Sequence, residues 1–464
     1  MADQPQESDS HHSNRRNRAI KSAVATSLAS KVGTALLQLV SIPIAFRVLE
    51  PEPFGLYATV ALSIGTIMIF QLGIGPALTH GISRSRAENN PDLEREYFST
   101  AWFMILGMAA IAGLVFTTLL KTVPLTFFFG EKYHGFEEQM MPALWIALGI
   151  VVIDFILSHT ERVREGHLQV HLNNLWGAAG NVFGALLVGF GIHVFPTIEF
   201  LIIAVFGSRV LAKIGNTIHL LLKNTHLLPH LKNFRKKTAI LLFTDGLAFT
   251  VSYALTGIIQ INFCSLIIGR MTGPSAVGTF MILSQISTFM LGFIIMFTTP
   301  IWPGVVDSFT RRDFVWVRKT IHRLWMLVLS YTAAGVIGLT LLGPTLIPIW
   351  MGPEIEITWL VLLPFSLYFL THAWSHVNQT MLIGVGMVRS VAIFSLIETL
   401  LLLIPVYILT KPYALSGMFS GMFFTMLAMT AWIFPMLLLR KLKQSEADPS
   451  EASVEDPSLT SPSV

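Results

Sequence analysis

The chain has 464 residues, of which 53% are hydrophobic and 12% charged, with a formal net charge of +4 and a mean hydropathy of +0.64. Soluble domains carry roughly a quarter charged residues, so this composition excludes a wholly water-solvated protein. The single cysteine, Cys264, lies in an apolar stretch, which excludes a disulfide framework or a cysteine metal site.

Residues 1–21 form a polar N-terminal tail, followed by an apolar run that contains Lys31 and continues past Ile44. That run is too long for the apolar core of a cleavable signal and reads as a retained span. A spanning helix needs about 20 apolar residues to cross roughly 30 Å of hydrocarbon. Length and loop punctuation predict spans at 22–48, 54–83, 98–120, 140–161, 175–195, 199–222, 239–269, 275–303, 320–342, 357–383, 390–409 and 415–438. A membrane barrel would show segments of about ten alternating residues, whereas Leu324 to Leu342 is apolar on every face. Kinks are expected at Pro43, Pro76 and Pro300, where a backbone donor is missing. The expected organisation is an N-lobe of six helices over 22–222, a basic linker over 223–238, a C-lobe of six helices over 239–438, and an acidic tail over 439–464. From Gln444 onward that tail has too little apolar content to fold.

Lys and Arg are retained on the cytoplasmic side of membrane proteins. With the N-terminus inside, the inner segments hold the clusters Arg15 to Lys21, Arg84 to Arg95, Arg162 and Arg164, Lys223 to Lys237, Arg311 to Lys319, Arg389 and Arg440 to Lys443. The outer loops hold only Lys121, Lys132, Arg270 and Lys411. This asymmetry predicts an even number of spans, with both termini in the cytoplasm and the chain in the inner or plasma membrane.

An internal repeat is visible. Pro53-Phe54-Gly55-Leu56-Tyr57 opens the second span and Ala276-Val277-Gly278-Thr279-Phe280 opens the eighth; Gly130 follows the third span and Gly352 the ninth; Gly166 and Gly386 occupy matching inner segments. Repeats of six spans enter the membrane in the same direction, so the halves are expected to be parallel, related by an axis along the membrane normal.

The stretch Val48-Leu49-Glu50-Pro51-Glu52-Pro53-Phe54-Gly55-Leu56-Tyr57, followed by Gln71-Leu72-Gly73-Ile74-Gly75-Pro76-Ala77 and a charged loop after Arg84, resembles the start of a Wzx-type oligosaccharide flippase. That family, often labelled polysaccharide biosynthesis protein, belongs to the multidrug, oligosaccharidyl-lipid and polysaccharide exporter (MOP) superfamily. The resemblance covers about 22–440 in layout, with its motifs concentrated in 33–100. It implies an all-α integral membrane protein of about 12 transmembrane helices in two six-helix lobes around a cavity open alternately to each side. It also implies a polyprenyl-pyrophosphate-linked oligosaccharide as substrate, in the synthesis of cell-surface polysaccharide such as O-antigen, lipopolysaccharide or exopolysaccharide, with a polymerase and glycosyltransferases as partners.

Charges at membrane depth are costly and face a cavity or a partner. Arg209 and Lys213 stand four residues apart on the sixth span, with Asn216 and Thr217 continuing their face. Two readings stay open: contact with an anionic head group, or structural pairing with Glu398 or Asp154. Lys31, deep in the first span, is a further cavity candidate. Arg47 and Arg270, near the outer ends of the first and seventh spans, are also cavity candidates, although snorkelling explains them without a substrate. Asp154, Asp245 and Glu398 are expected to balance these cations or to couple an ion. His372, His376 and Gln379 share one face of the tenth span as candidates for sugar or proton contact. The pair His372 and His376 lacks the glutamate of a zinc-protease helix, and no GxxxxGK[ST] phosphate loop is present. The reading is therefore of a transporter with no catalytic residue, metal, cofactor or nucleic-acid partner. Its alternative is a multidrug or metabolite antiporter of the same superfamily, although Lys31, Arg209 and Lys213 would repel a cationic drug.

The topology is checked by reporter fusions. A phosphatase joined after residue 464 or within the linker 223–238 should be inactive and one inserted near Lys132 active; the reverse pattern would overturn the assignment.

Overall fold

The structure, a computed structural model, describes residue 26 and residues 30–67, 73–249, 255–355 and 357–447. The expected N-terminal tail, Gln71-Leu72 of the opening motif and the end of the acidic tail lie outside the described residues. The main helices are α1 (Ser30–Leu49), α2 (Pro51–Ile67), α3 (Ile74–Ala87), α4 (Pro91–Thr122), α5 (Glu137–Gly166), α6 (Val170–Gly191), α7 (Ser208–Lys223), α8 (Lys236–Phe249), α9 (Leu255–Thr272), α10 (Pro274–Thr310), α11 (Phe314–Met351), α12 (Trp359–Gly384), α13 (Val388–Ala428) and α14 (Thr430–Ala447). No strand occurs among the described residues. Among the described residues seven helical stretches are long and apolar enough to cross a membrane, the last of them, Val388–Ala447, combining α13 and α14. The protein is thus a multi-pass, all-α membrane protein.

Helix starts and breaks follow local chemistry. Asn90 caps α4 by accepting from the Leu93 amide at 3.0 Å, with Pro91 at the first helical position and Asp92 and Glu94 in the first turn. The apolar run read as one span over 54–83 is two helices, α2 and α3, the second starting after Gly73 in a left-handed conformation (φ 62°). Within the run over 239–269 the described residues are helical, as α8 and α9, and residues 250–254 lie outside the described residues. The boundary expected between 409 and 415 falls at Ala414, whose φ of 48° interrupts α13. α14 continues to Ala447, where Glu446 forms a two-pronged ion pair with Arg318 at 2.9 and 2.7 Å, so the tail expected from 439 begins as helix.

The chain divides into two compact units, one of residues 1–281 with 347–356, the other of 282–346 with 357–464. In the first, Ile82, Phe98, Phe155, Val163 and Leu220 bring α3, α4, α5 and α7 onto one core. Segments expected on the inner side come together there. The Glu94 carboxylate bridges His167 (2.5 Å) and His226 (3.4 Å), Arg86 donates to the His167 carbonyl, and Arg95 donates to the His226 carbonyl. The linker is stitched to α4, with the His230 and Arg235 amides donating to the Ser99 and Thr100 hydroxyls and Thr238 donating to Glu96.

Segments expected on the outer side also converge. Arg47, at the end of α1, donates to the carbonyls of Ile349, Trp350 and Met351, the last turn of α11. Arg270, at the end of α9, donates to the carbonyls of Phe127 and Phe128. These carbonyls precede Gly352 (φ 137°) and Gly130 (φ 92°), the paired glycines of the repeat. Each arginine therefore satisfies carbonyls left without partners where a helix ends, a role more specific than snorkelling. Gly55 and Gly278, another repeat pair, pack against one another: a Cβ on Gly278 would lie 3.3 Å from the Gly55 Cα, and one on Gly55 only 2.0 Å from the Pro274 carbonyl oxygen.

In the second unit Val317, Ile321 and Val328 of α11, Phe369 and Val377 of α12 and Leu438 of α14 form the core. Glu398 of α13, expected to balance a cation or couple an ion, is buried, and its Oε2 accepts from the Thr430 hydroxyl and, at 3.2 Å, from the Thr430 amide. It thereby caps the N-terminus of α14 from a neighbouring helix, and Ser375 and Trp374 of α12 fasten the same turn through Thr430 and the Ala431 carbonyl.

Overpacking a tight contact costs about 1–3 kcal/mol or more. Gly55→Ala should lower the apparent melting temperature of the detergent-purified protein and its membrane yield, whereas Gly107→Ala, with nothing within 4 Å of the added methyl, should leave both unchanged.

Candidate functional site

The first unit contains a polar pocket of about 380 Å³ walled by α1, α5, α6 and α7. Two π turns and a stripe of small residues make it. Leu36–Ser41 of α1 and Ile203–Gly207 before α7 are π-helical. Such turns shift the facing of the residues that follow by inserting one residue into the helical repeat. Gln38 lies in the first, and Arg209 follows the second by two residues. On α6, Gly180 and Gly184 meet Ala204, Ser208 and Ala212: a Cβ on Gly180 would come within 2.9 Å of the Ala212 Cβ, and one on Gly184 within 2.5 Å of the Ser208 Oγ. Gly33 of α1 faces the Ala178 backbone as closely, at 3.1 Å. Small residues let helices approach in the absence of a hydrophobic drive. The larger side chains flanking that seam line the pocket.

Arg209 donates through Nε to Asn181 Oδ1 at 3.0 Å, and Asn181 Nδ2 donates in turn to Thr34 Oγ1 at 2.9 Å, tying α7, α6 and α1 together. Its guanidinium carbon lies 5.7 Å from the Phe206 ring centre, within cation–π range. Among the described residues no carboxylate ion-pairs with Arg209, and no acceptor meets its two terminal nitrogens. Lys213 is placed otherwise. Its Nζ lies 2.7 Å from Asp154 Oδ1 and 3.8 Å from Glu161 Oε2, so two carboxylates of α5 balance it. Of the face predicted to run Arg209, Lys213, Asn216, Thr217, the first three line the pocket, and Thr217 turns to the Thr160 hydroxyl at 2.9 Å.

The other expected site residues lie elsewhere. Lys31 is exposed one residue into α1 and does not line the pocket; Asp245 is exposed on α8. Arg47 and Arg270 bind helix-end carbonyls, and Glu398 is occupied by Thr430. His372 and His376 lie in α12 of the second unit. The His372 ring stacks on Tyr368 at 5.6 Å, and His372 Nδ1 and His376 Nε2 are buried without a hydrogen-bond partner. Asn378, also on α12, is fully buried, accepting from Trp325 and donating to the Trp374 carbonyl.

Sequence reasoning missed Gln38, Glu161, Trp176 and Asn181, all of which line the pocket. The spacing of Gly177, Gly180, Asn181 and Gly184 on one face of α6 carried the signal, since a small-residue face interrupted by an amide marks a close helix contact with a polar insert. Arg164, which the sequence marks only as an inner-side charge, has a structural role as well. It is 1% exposed and donates to Gln169 Oε1 and to the carbonyl of Asn216, holding α7 to the end of α5.

The profile of the family described as polysaccharide biosynthesis protein matches residues 20–307. No curated relative matches the chain. Among solved structures, an inward-facing multidrug resistance MATE family transporter of the MOP superfamily aligns with a TM-score of 0.76 at 14% identity, covering 90% of this chain and 96% of that one. An outward-facing MATE transporter of the MOP superfamily aligns at 0.62 and 15% identity, covering 93% and 97%. A MOP superfamily transporter from Pyrococcus furiosus Vc1, described as having a binding pocket of reverse polarity, aligns at 0.62 and 14%, covering 92% and 97%. At these identities the structural likeness shows the fold alone. The chain belongs to the polysaccharide biosynthesis protein family and has the fold of the MOP superfamily transporters.

Proposed function

We propose that the protein is a flippase that carries a polyprenyl-pyrophosphate-linked oligosaccharide from the inner to the outer leaflet of the inner or plasma membrane, by alternating access, for cell-surface polysaccharide synthesis. The observation that carries this reading is the polar pocket among α1, α5, α6 and α7, in a chain of the polysaccharide biosynthesis family. Charged and polar groups in hydrocarbon are retained where they meet a partner or line a hydrophilic path. The barrier to flipping such a lipid is desolvation of its polar head, since the prenyl tail is at home in either leaflet. A pocket that replaces water's hydrogen bonds lowers that barrier without making or breaking a covalent bond. Arg209 is the group best suited to this, because its terminal nitrogens present a planar fork of donors uncommitted to protein. Lys213, held by Asp154 and Glu161, sets the pocket's charge balance. In this reading both termini are cytoplasmic, and a polymerase takes the delivered oligosaccharide on the outer face.

The test uses proteoliposomes and a lipid-linked oligosaccharide bearing a fluorophore on its glycan, read by an impermeant quencher. The purified protein should accelerate flipping. Arg209→Ala, losing hydrogen bonds to a charged donor worth about 1.5–3 kcal/mol, should slow it by roughly 10- to 100-fold at unchanged protein abundance. Normal flipping by a well-expressed Arg209→Ala, Lys213→Ala double variant would remove the pocket from the mechanism. Gradient-driven efflux of ethidium without any flipping would replace the flippase with a multidrug antiporter.

A further inference from the structure

Resting on that reading, we infer that the pocket of the first unit is a saccharide subsite: it receives a sugar ring of the substrate, stacked on Trp176, and not the pyrophosphate. A pyrophosphate presents acceptor oxygens and negative charge, so its site must be built from donors and net positive charge. This pocket is not. Lys213 is ion-paired by Asp154 and Glu161, so that with Arg209 the two cations and two carboxylates come to formal neutrality, and Glu161 itself lines the wall. Asn216, also in the wall, holds a buried Oδ1 with no hydrogen-bond partner, while its Nδ2 is spent on Asn173 at 3.1 Å. An anion placed here would face a carboxylate and an amide oxygen. A sugar hydroxyl donates and accepts at once, and the lining offers both functions: donors in the Arg209 fork, acceptors in Asn216 Oδ1 and Glu161, and either in the Gln38 amide.

The aromatic wall completes the fit. Trp176 is seated by its Gly215 neighbour on α7, where a Cβ would come within 2.5 Å of the indole six-membered ring, so the indole lies flush against that helix. Its Nε1 reaches toward His219 Nδ1 at 3.5 Å, which directs the polar edge away and leaves the apolar body to the pocket. Apolar C–H faces of a pyranose match such a surface, with hydroxyls projecting at the ring's rim. The volume of about 380 Å³ is at the lower end of the roughly 300–1,000 Å³ range of small-molecule sites and suits one or two sugar rings, not a whole oligosaccharide.

The experiment measures binding to the full-length protein in lipid nanodiscs by calorimetry. The probes are the intact lipid-linked oligosaccharide from the cells that make the protein, the free oligosaccharide released from it by mild acid, and inorganic pyrophosphate. The free oligosaccharide should bind and compete with the intact lipid, and pyrophosphate at equal concentration should do neither. Trp176→Leu should weaken oligosaccharide binding by about tenfold, the scale of a lost aromatic contact, while Trp176→Phe, which keeps a ring, should lose much less. Pyrophosphate displacing the oligosaccharide, or intact substrate binding Trp176→Leu as tightly as the wild type, would overturn the saccharide assignment and leave the flippase reading standing. Absence of both binding and flipping of the intact lipid-linked substrate would overturn both.

Discussion

A charge or backbone group withdrawn from water must find its partner inside the protein, and this constraint shapes the chain more than any apolar contact. Lys213 and Asp154, 2.7 Å apart, show it most directly: the pair joins α7 to α5. Removing one partner would leave the other uncompensated, which costs far more than the pair contributes. Because Asp154 and Glu161 serve Lys213, Arg209 is left to a neutral amide and an aromatic ring. The arginine is thereby positioned by groups that do not quench its charge.

The same constraint acts on helix ends. At three helix ends a side chain from another element supplies the partner: Arg47 and Arg270 serve carbonyls, and Glu398 serves an amide. Arg47 and Arg270 stand in equivalent places of the sequence repeat, as do Gly352 and Gly130 beside the carbonyls they bind. Each arginine serves the helix end of the opposite half of the chain, and Gly55 and Gly278 permit the close approach between them. Repetition in the sequence has become reciprocity in the contacts.

Fold and function separate at the pocket. The fold is shared with transporters described as multidrug resistance MATE family transporters, and fold alone does not choose a substrate. In the proposed reading the choice lies in a few side chains set by two π turns and a glycine face. There a donor fork, an indole, amides and a carboxylate would favour a polyhydroxylated, uncharged group over a cation or a phosphate. Selectivity in this reading is a matter of balanced hydrogen-bonding character and not of net charge.

By itself the sequence determined the all-helical membrane class, the positions of its apolar segments and the shared face of Arg209, Lys213 and Asn216. Each of these depends on composition or on helical periodicity, which are local properties of the chain. Tertiary structure decided which acid meets which base, that Arg47 and Arg270 are carbonyl clamps, that Glu398 caps a broken helix, and that Trp176, Asn181, Gln38 and Glu161 join one pocket. Those outcomes depend on how helices distant in sequence rotate against one another. A π turn or a glycine contact changes that rotation by a large fraction of a turn while leaving hydropathy almost untouched, so hydropathy and charge could not reveal it.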